Sequence, residues 1–385
     1  MKKLTKVLSL VLATCMVVAC FTGCGKSKKN SDTFKIGGIG PLTGGAASYG
    51  QGAMNGAQIA VDEINAAGGI NGYKIEFKTA DDELDNDKSV NAYNSLKDWG
   101  MQMLVGTVTS GCCTAVGEYA HEDNMFLLTP SASSVAAIAY DNAFRVCFSD
   151  PNQGIASADY IAANKLGEKI AIIYDSSDVY SSGIRDKFVA KAKEHGLNVV
   201  AEGAFNSDNN KDFSVQLQAA KNADADLVFL PIYYQQAALI LTQARDAEYA
   251  PLFFGCDGLD GILGAENFDV TLAEDVVLLT PYVATSAEAA SKAFTDKYVA
   301  KYNETPNQFA ADAYDAVYTI KAAIEKSGAT PDMSVSEICD LLKKAMLEIS
   351  VDGVTGAGIT WDADGEPTKA PKAMVIKNGV YEAME

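Results

Sequence analysis

Three polar stretches of this sequence stand directly after short apolar runs, at points where side chains could bind charged groups. Positions 107–111 follow the run that ends at Val105, and positions 131–133 follow the run that ends at Leu128. Both stretches lead into predicted helices, whose free N-terminal amides would suit a carboxylate. Asp257 follows a later apolar run and could accept an ammonium group. Together these groups could hold a zwitterion, although helix capping and a simple turn are the alternative interpretations.

Catalytic and metal-binding patterns do not stand out in the sequence. The two histidines, His121 and His195, fall in predicted helices and lack the spacing of a metal site or a catalytic triad. The densest acidic run, at positions 81–85, is interpreted as a solvated loop. A calcium loop is the alternative, but the run lacks the full EF-hand spacing. We therefore predict a binding protein, not an enzyme, with no cofactor and no metal.

The elements that must position these groups alternate between short apolar runs and longer amphipathic stretches. A helix is predicted over about 51–67, because Met54, Ala57, Val61 and Ile64 fall on one face. The glycine pair after Ala67 is a typical helix end. Nearly all-apolar strands indicate parallel sheets covered on both faces, and so an α/β fold of doubly wound sheets. The predicted strands are 34–39, 73–80, 101–105, 125–128, 170–174, 227–230, 252–254 and 276–279.

The C-terminal part contains three predicted helices and two short β-like pieces. Because the chain exceeds the usual length of a single domain, two lobes are expected. The helices are predicted at 287–302, 308–326 and 335–347, and the β-like pieces at 357–361 and 373–376.

The N-terminus has the pattern of a secretory signal peptide, with early lysines followed by an apolar run from Val7 to Ala19. Residues 21–24 resemble a lipobox, which predicts signal peptide 1–23, lipidated Cys24 and a flexible tether over 24–33. Cys20 is the competing lipidation site. The apolar run is too short for a membrane-spanning anchor.

Net charge and cysteine content argue against further classes of protein. The net charge of −19 has the wrong sign for binding nucleic acid. The remaining cysteines show no CxxC spacing, so we expect small buried side chains and not a zinc site or a disulfide framework. They are Cys112, Cys113, Cys147, Cys256 and Cys339.

Several segments, taken in order, resemble the leucine/isoleucine/valine-binding protein family of type I periplasmic binding proteins. The segments include Ile39-Gly40-Pro41-Leu42-Thr43-Gly44, Glu63 to Gly72, Leu128 to Ser133 and Phe254 to Gly258. The resemblance runs through nearly the whole mature chain. It implies two doubly wound lobes joined by three hinge crossovers, with ligand in the cleft between them. The N-terminal lobe would comprise 34–149 plus 281–352, and the C-terminal lobe 150–280 plus 353–385.

The resemblance also implies ligand-binding positions. Ser110, Ser131, Ala132 and Ser133 match the positions that hold a ligand's carboxylate and amino group. Asp257 matches the acid that pairs with the ammonium, where branched-chain binders often have glutamate. The matching aromatic residues are Tyr49, Tyr180 and one of Tyr233 and Tyr234, with Tyr233 favoured.

Such a protein would be an extracytoplasmic lipoprotein, anchored to the cell membrane, that serves an ABC importer. The implied ligand is an amino acid, branched-chain or otherwise aliphatic, which a monomer would deliver to the membrane permease after domain closure. A small amide, a urea-like molecule or an aromatic acid is the alternative ligand, and a sensory receptor is the alternative role.

Overall fold

A computed structural model describes residues 32–384, which form two sheets with helices on both faces. The predicted signal peptide, the lipidation site at Cys24 or Cys20, and the tether up to residue 31 lie outside the described residues. The first sheet has the strand order β2-β1-β3-β4-β5, and all of its pairs are parallel. Its strands are β1 (Thr33–Gly40), β2 (Lys74–Asp81), β3 (Met103–Val105), β4 (Phe126–Thr129) and β5 (Ala143–Arg145).

The second sheet is parallel except at one edge. Its order is β12-β11-β10-β9-β8-β6-β7, and only the pairs that involve β11 are antiparallel. The predicted α/β class with mostly parallel sheets is confirmed. The strands are β6 (Lys169–Asp175), β7 (Asn198–Phe205), β8 (Leu227–Leu230), β9 (Leu252–Gly255), β10 (Val277–Thr280), β11 (Lys372–Lys377) and β12 (Val380–Ala383).

The helices cover the faces of these sheets. We call each sheet with the helices packed on it a lobe, the first containing β1–β5 and the second β6–β12. Helices α8, α9 and α10 return to the first lobe, where α9 packs along α1 and α10 against β4. The helices are α1 (Ala47–Ala66), α2 (Asn86–Trp99), α3 (Ser110–Glu122), α4 (Asp150–Asn164), α5 (Val179–His195), α6 (Ser214–Asn222), α7 (Tyr234–Asp246), α8 (Ala289–Tyr302), α9 (Gln308–Ser327) and α10 (Val335–Met346).

The apolar face predicted for α1 is buried as expected. Met54, Ala57, Val61 and Ile64 all lie in the core of the first lobe. The helix ends at Ala66, where the following glycine pair closes the last turn. Local periodicity alone is enough to fix such a face, because it does not depend on the rest of the chain.

Helix α1 approaches α9 so closely that only glycine fits at one position. A Cβ at Gly56 would overlap the carbonyl oxygen of Ala310, whereas at Gly117 of α3 the nearest atom would be Tyr140 Cδ2 at 3.7 Å. We expect Gly56→Ala to lower the free energy of unfolding by about 1–3 kcal/mol, as overpacking does. Gly117→Ala, the matched control, should leave it unchanged or raise it by up to about 1 kcal/mol. Urea unfolding of both variants tests this, and equal stability of the two would contradict it.

Three chain passages connect the lobes. The first lies between β5 and α4, the second between β10 and α8, and the third spans the segment between α10 and β11. On the third passage, Asp315 of α9 accepts hydrogen bonds from the amides of Val354 and Thr355, at 2.8 and 3.0 Å. Lys369 donates to Asp312 of α9 at 2.9 Å. These bonds fix the third passage to the first lobe.

The β-like piece predicted at 357–361 is not a strand. Ile359 and Trp361 are buried, but they form only isolated bridges, to Val351 and Pro367. Gly358, at a φ of +64°, interrupts the extended backbone directly before Ile359. The apolar residues at 357–361 therefore belong to a buried local turn and not to a strand of either sheet.

Within residues 32–384, none of the helices has the length and apolar character needed to cross a membrane.

Candidate functional site

Side chains from both lobes meet in a small enclosed pocket, which we call the inner pocket. The first lobe contributes residues from α1, from the loop before α3, from the loop after β4, and from the start of α9. The second lobe contributes residues from α5, from the loop after β8, and from the loop after β9. The lining residues are Tyr49, Val108, Thr109, Ser110, Ser131, Tyr180, Tyr233, Asp257, Gly258 and Phe309.

The N-terminus of α3 faces this pocket without a side-chain cap. Thr109 occupies the N-cap position, but its hydroxyl makes no capping bond. The Oγ1 atom of Thr109 is buried and has no hydrogen-bond partner. The helix is 13 residues long, so its dipole and free first-turn amides favour an anionic group at this end. This end of α3 can therefore bind a carboxylate.

The turn at residues 131–134 wraps around Ser110. The Oγ atom of Ser110 accepts hydrogen bonds from the amides of Ser133 and Ser134, each at 3.1 Å. Ser131 donates its hydroxyl to the carbonyl of Val108 at 2.7 Å. Ser110 and Ser131 therefore line the inner pocket and also tie the two loops of its first-lobe wall together.

Ala132 and Ser133 are buried beside the inner pocket but do not line it. The amide of Ala132 donates to Thr129 Oγ1 at 2.9 Å, and the hydroxyl of Ser133 is buried without a hydrogen-bond partner. The second helix predicted after them is only a four-residue 3₁₀ turn, Val135–Ile138. Such a short turn contributes little dipole, so α3 supplies the main anion-binding helix end.

Arg145 supports this wall from behind, and the sequence did not single it out. Its guanidinium is completely buried, and it donates to the carbonyls of Ala132 and Ser134 at 3.1 and 2.9 Å. Its own carbonyl accepts the indole N–H of Trp361 at 2.7 Å. Arg145 therefore fixes the carbonyls on either side of Ser133, and with them the position of the 131–134 turn.

Asp257 supplies the carboxylate on the opposite wall. Its Oδ1 atom accepts the hydroxyl of Tyr180 at 2.7 Å, and its amide donates to Gln153 at 3.1 Å. Burial raises the pKa of Asp257 to about 7, with the nearby charge of Asp312 adding to the rise. A ligand's ammonium group would offset the cost of burying this charge and lower the pKa again. The position thus suits a cationic partner.

Tyr49 joins the two lobes across the pocket. Its hydroxyl donates to the carbonyl of Gly258 and accepts the amide of Tyr234 at 3.1 Å. Its ring stacks on Phe309 with the centroids 4.1 Å apart. Of the two neighbouring tyrosines, Tyr233 lines the inner pocket, while Tyr234 is buried in the core.

The lobes are closed around the inner pocket in this structure. The pocket encloses only about 10 Å³, which is room for about one water molecule. An amino acid could therefore enter only when the lobes separate and the Tyr49 bonds break. Further out, an outer cavity of about 610 Å³ opens between the lobes and shares Thr109 and Tyr233 with the inner pocket.

The acidic run at 81–85 is not simply a solvated loop, so that interpretation is wrong for Asp82. This residue is fully buried, and burial raises its pKa to about 7. Asp81 accepts the amide of Leu42 at 2.8 Å, and Asp85 caps α2. Among residues 32–384, no three His, Cys, Asp or Glu side chains are grouped so that they could hold a metal ion.

The two histidines and the five cysteines of the described chain lie outside any catalytic or metal-binding arrangement. His121 stacks on Tyr140 at 4.5 Å, and His195 lies 2.5 Å from Asp159. Neither histidine lines the inner pocket or the outer cavity. The cysteines predicted to be buried, at 112, 113, 147, 256 and 339, are all buried and free.

Comparisons with known proteins place this geometry among binding proteins. A family model described as periplasmic binding protein matches residues 33–379. The Leu/Ile/Val-binding protein homolog 3 of Brucella melitensis is 34% identical over 303 residues, which cover 77% of this chain and 80% of that protein.

Solved structures share the fold. The branched-chain amino acid transporter substrate binding protein of Streptococcus pneumoniae, in complex with isoleucine, has a TM-score of 0.82 and 32% identity, and the match covers 91% of this chain and 98% of that one. An ABC transporter solute binding protein of R. palustris, in complex with benzoate, has a TM-score of 0.81 at 22% identity, with coverage of 91% and 95%. The second likeness bears on the fold alone.

Proposed function

This chain belongs to the periplasmic binding protein family, as the resemblance in its sequence predicted, and from that premise we propose that it is the substrate-binding protein of an ABC importer. It binds an amino acid, branched-chain or otherwise aliphatic, between its lobes and delivers it to the membrane permease. It works as a monomer outside the cytoplasm, held to the membrane by a lipid on Cys24.

The observation that carries this proposal is the pairing of opposite charges across one pocket. The uncapped N-terminus of α3 with Ser110 suits a carboxylate, and Asp257 on the facing lobe suits an ammonium group. A neutral molecule would leave the buried Asp257 carboxylate without a cationic partner, so a ligand that supplies an ammonium group to Asp257 and a carboxylate to α3 is preferred. An α-amino acid carries both charged groups on one carbon atom, so its carboxylate can face α3 while its ammonium group faces Asp257.

The same division of charges explains how binding would drive closure. A ligand on the first lobe alone leaves its ammonium without a charged partner, and only the closed form brings Asp257 to it. Closure would also form the Tyr49 bonds to the second lobe and exclude water. The ligand thus stabilises the closed state by its differential affinity for that state. The closed form is then the one that the permease would recognise.

Val108 and Phe309 supply the apolar surface that would favour an aliphatic side chain. The isoleucine in the S. pneumoniae relative supports the same class. An aromatic acid, such as the benzoate bound by the R. palustris neighbour that shares the fold, is the second candidate. An aromatic acid has no ammonium group, so it would leave Asp257 buried without a cationic partner. A sensory role would use the same site and differ only in the protein that the closed form contacts.

Calorimetry on the protein from Lys26 onward tests this proposal against a panel of the twenty amino acids, urea, short amides and aromatic acids. We expect micromolar or tighter binding of at least one aliphatic amino acid, with one site per chain, and weaker binding of its amide, which lacks the carboxylate. Binding of benzoate but of no amino acid would keep the fold and reject the proposed ligand class.

A further inference from the structure

The outer cavity lies between the lobes at the mouth of the inner pocket. The first-lobe wall comes from the β2–α2 loop and the starts of α2 and α3, and the second-lobe wall from the loops after β6, β7 and β8 and the start of α5. Its volume of about 610 Å³ is in the range of small-molecule sites. It is therefore large enough to hold part of a ligand whose other end sits in the inner pocket.

The walls of this cavity are acidic on both sides. Asp85 and Asp87 stand on the first lobe, and Asp175 and Asp178 stand on the second. Among the described residues that line it, none is lysine, arginine or histidine. Closure brings these like charges towards one another across the cavity. Such repulsion opposes closure unless a cation lies between the walls.

Two neighbouring basic residues, Lys88 and Arg185, are paired with other acids. Lys88, next to Asp87 on α2, binds Glu83 at 2.6 Å. Arg185 of α5 pairs with Glu202. Three of the four carboxylates accept amide hydrogen bonds: Asp85 from Lys88 at 2.9 Å, Asp175 from Ser177 at 2.8 Å, and Asp178 from Tyr180 at 3.2 Å. These amide bonds orient the carboxylates but leave their negative charge unneutralised.

A second feature connects this cavity to the inner pocket. Thr109 lines both spaces, is only 4% exposed, and has a hydroxyl without a hydrogen-bond partner. Tyr233, which also lines both, stands on the facing lobe. An unpartnered buried hydroxyl is unfavourable unless a ligand atom or water completes it. The passage between these two residues is thus polar and points outward from the pocket.

We propose that the outer cavity is a subsite for the cationic end of a longer amino acid side chain, an ammonium or a guanidinium group. This inference rests on the proposed function, because the α-carboxylate and α-ammonium of that ligand occupy the inner pocket. The side chain runs between Thr109 and Tyr233 and places its charge between the two acidic walls. The ligand range thus includes basic amino acids in addition to aliphatic ones.

The test compares lysine and arginine with norleucine, which has lysine's carbon chain without the terminal ammonium, and with leucine. Calorimetry should give an affinity for lysine or arginine at least tenfold higher than for norleucine, and this margin should shrink at high salt. The double variant Asp87→Asn/Asp175→Asn should reduce the margin at least tenfold and leave leucine binding equal or tighter, because it removes repulsion between the walls. Asn can still accept the hydrogen bonds that Asp175 Oδ1 receives from Ser177.

The matched control is Asp98→Asn/Asp246→Asn, which changes the net charge equally at exposed positions outside the cavity. It should leave the margin intact. If leucine binds but lysine and arginine do not, or if both double variants act alike, the outer cavity is only the solvent-filled mouth of the cleft. If no amino acid binds at all, the proposed function itself fails, and this inference falls with it.

Discussion

Asp257→Ala is expected to weaken amino-acid binding by about two orders of magnitude or more while the protein stays folded. Among residues 32–384, Asp257 is the one carboxylate that lines the inner pocket, so the variant leaves the ligand's ammonium buried without a charged partner. Truncation of one member of a buried, hydrogen-bonded charge pair costs about 2–5 kcal/mol, and each 1.4 kcal/mol is a tenfold change in Kd. Calorimetry with the best ligand of the panel measures the loss.

The pH dependence of binding separates charge from shape at this position. Burial raises the pKa of Asp257 to about 7, and only its carboxylate form attracts an ammonium. Affinity should therefore be constant above pH 7 and fall by about tenfold per pH unit below it, since the proton competes with the ligand. The isosteric Asp257→Asn should bind weakly at every pH and lose this dependence.

Other buried acids provide the control for that profile. Asp260 has a pKa raised to about 7 and Asp312 one raised to about 6, both mainly by burial, but neither lines the inner pocket. A profile that persists in Asp257→Asn would assign the titration to these acids. Asp212→Asn, an exposed change on the same lobe, should alter neither the affinity nor its pH dependence.

The sequence was informative where structure follows from local pattern. The face of α1 at Met54 and Val61 needed only helical periodicity, and the sheets needed only the recurring apolar runs. Ser110 and Ser131 could be placed near one another because each follows a strand of the same parallel sheet, and such strand ends meet at one edge. The resemblance predicted that Asp257 faces them across the cleft. The resemblance added Tyr49, Tyr180 and Tyr233, which also line the inner pocket.

What the sequence could not supply depends on contacts between distant segments. Phe309 lines the pocket because α9 packs along α1, and no local pattern at the start of α9 indicates that pairing. Arg145 supports the 131–134 turn from the end of β5, and no motif around it in the sequence indicates that role. Neither a buried arginine nor four aspartates on two facing walls can be distinguished from surface charge by sequence alone, because their surroundings come from distant segments.

A buried ion pair should contribute strongly to holding the third passage on the first lobe. Lys369, just before β11, lies 2.9 Å from Asp312, and the two side chains are only 2% and 1% exposed. Lys369→Met would leave the Asp312 carboxylate buried without its cation. Breaking a buried pair in this way costs about 3–5 kcal/mol, far more than the pair itself contributes, because the remaining charge has lost its solvation. Urea unfolding should show a loss of that size in the free energy of unfolding.

Protonation of Asp312 sets how that loss varies with pH. Burial already raises its pKa to about 6, and removal of Lys369, whose charge lowers it, would raise it further. A folded-state pKa above the unfolded value means that the variant binds a proton on folding. Its deficit in the free energy of unfolding should therefore shrink at low pH and grow as the pH rises.

Lys369→Met/Asp312→Leu should recover most of the stability, since neither charge then remains. The exposed pair of Lys321 and Glu325 on the same helix is the control, and Lys321→Met should change the free energy of unfolding by less than about 0.5 kcal/mol. A Lys369→Met variant as stable as that control would mean that water reaches Asp312 and that the third passage is held by the Asp315 bonds instead.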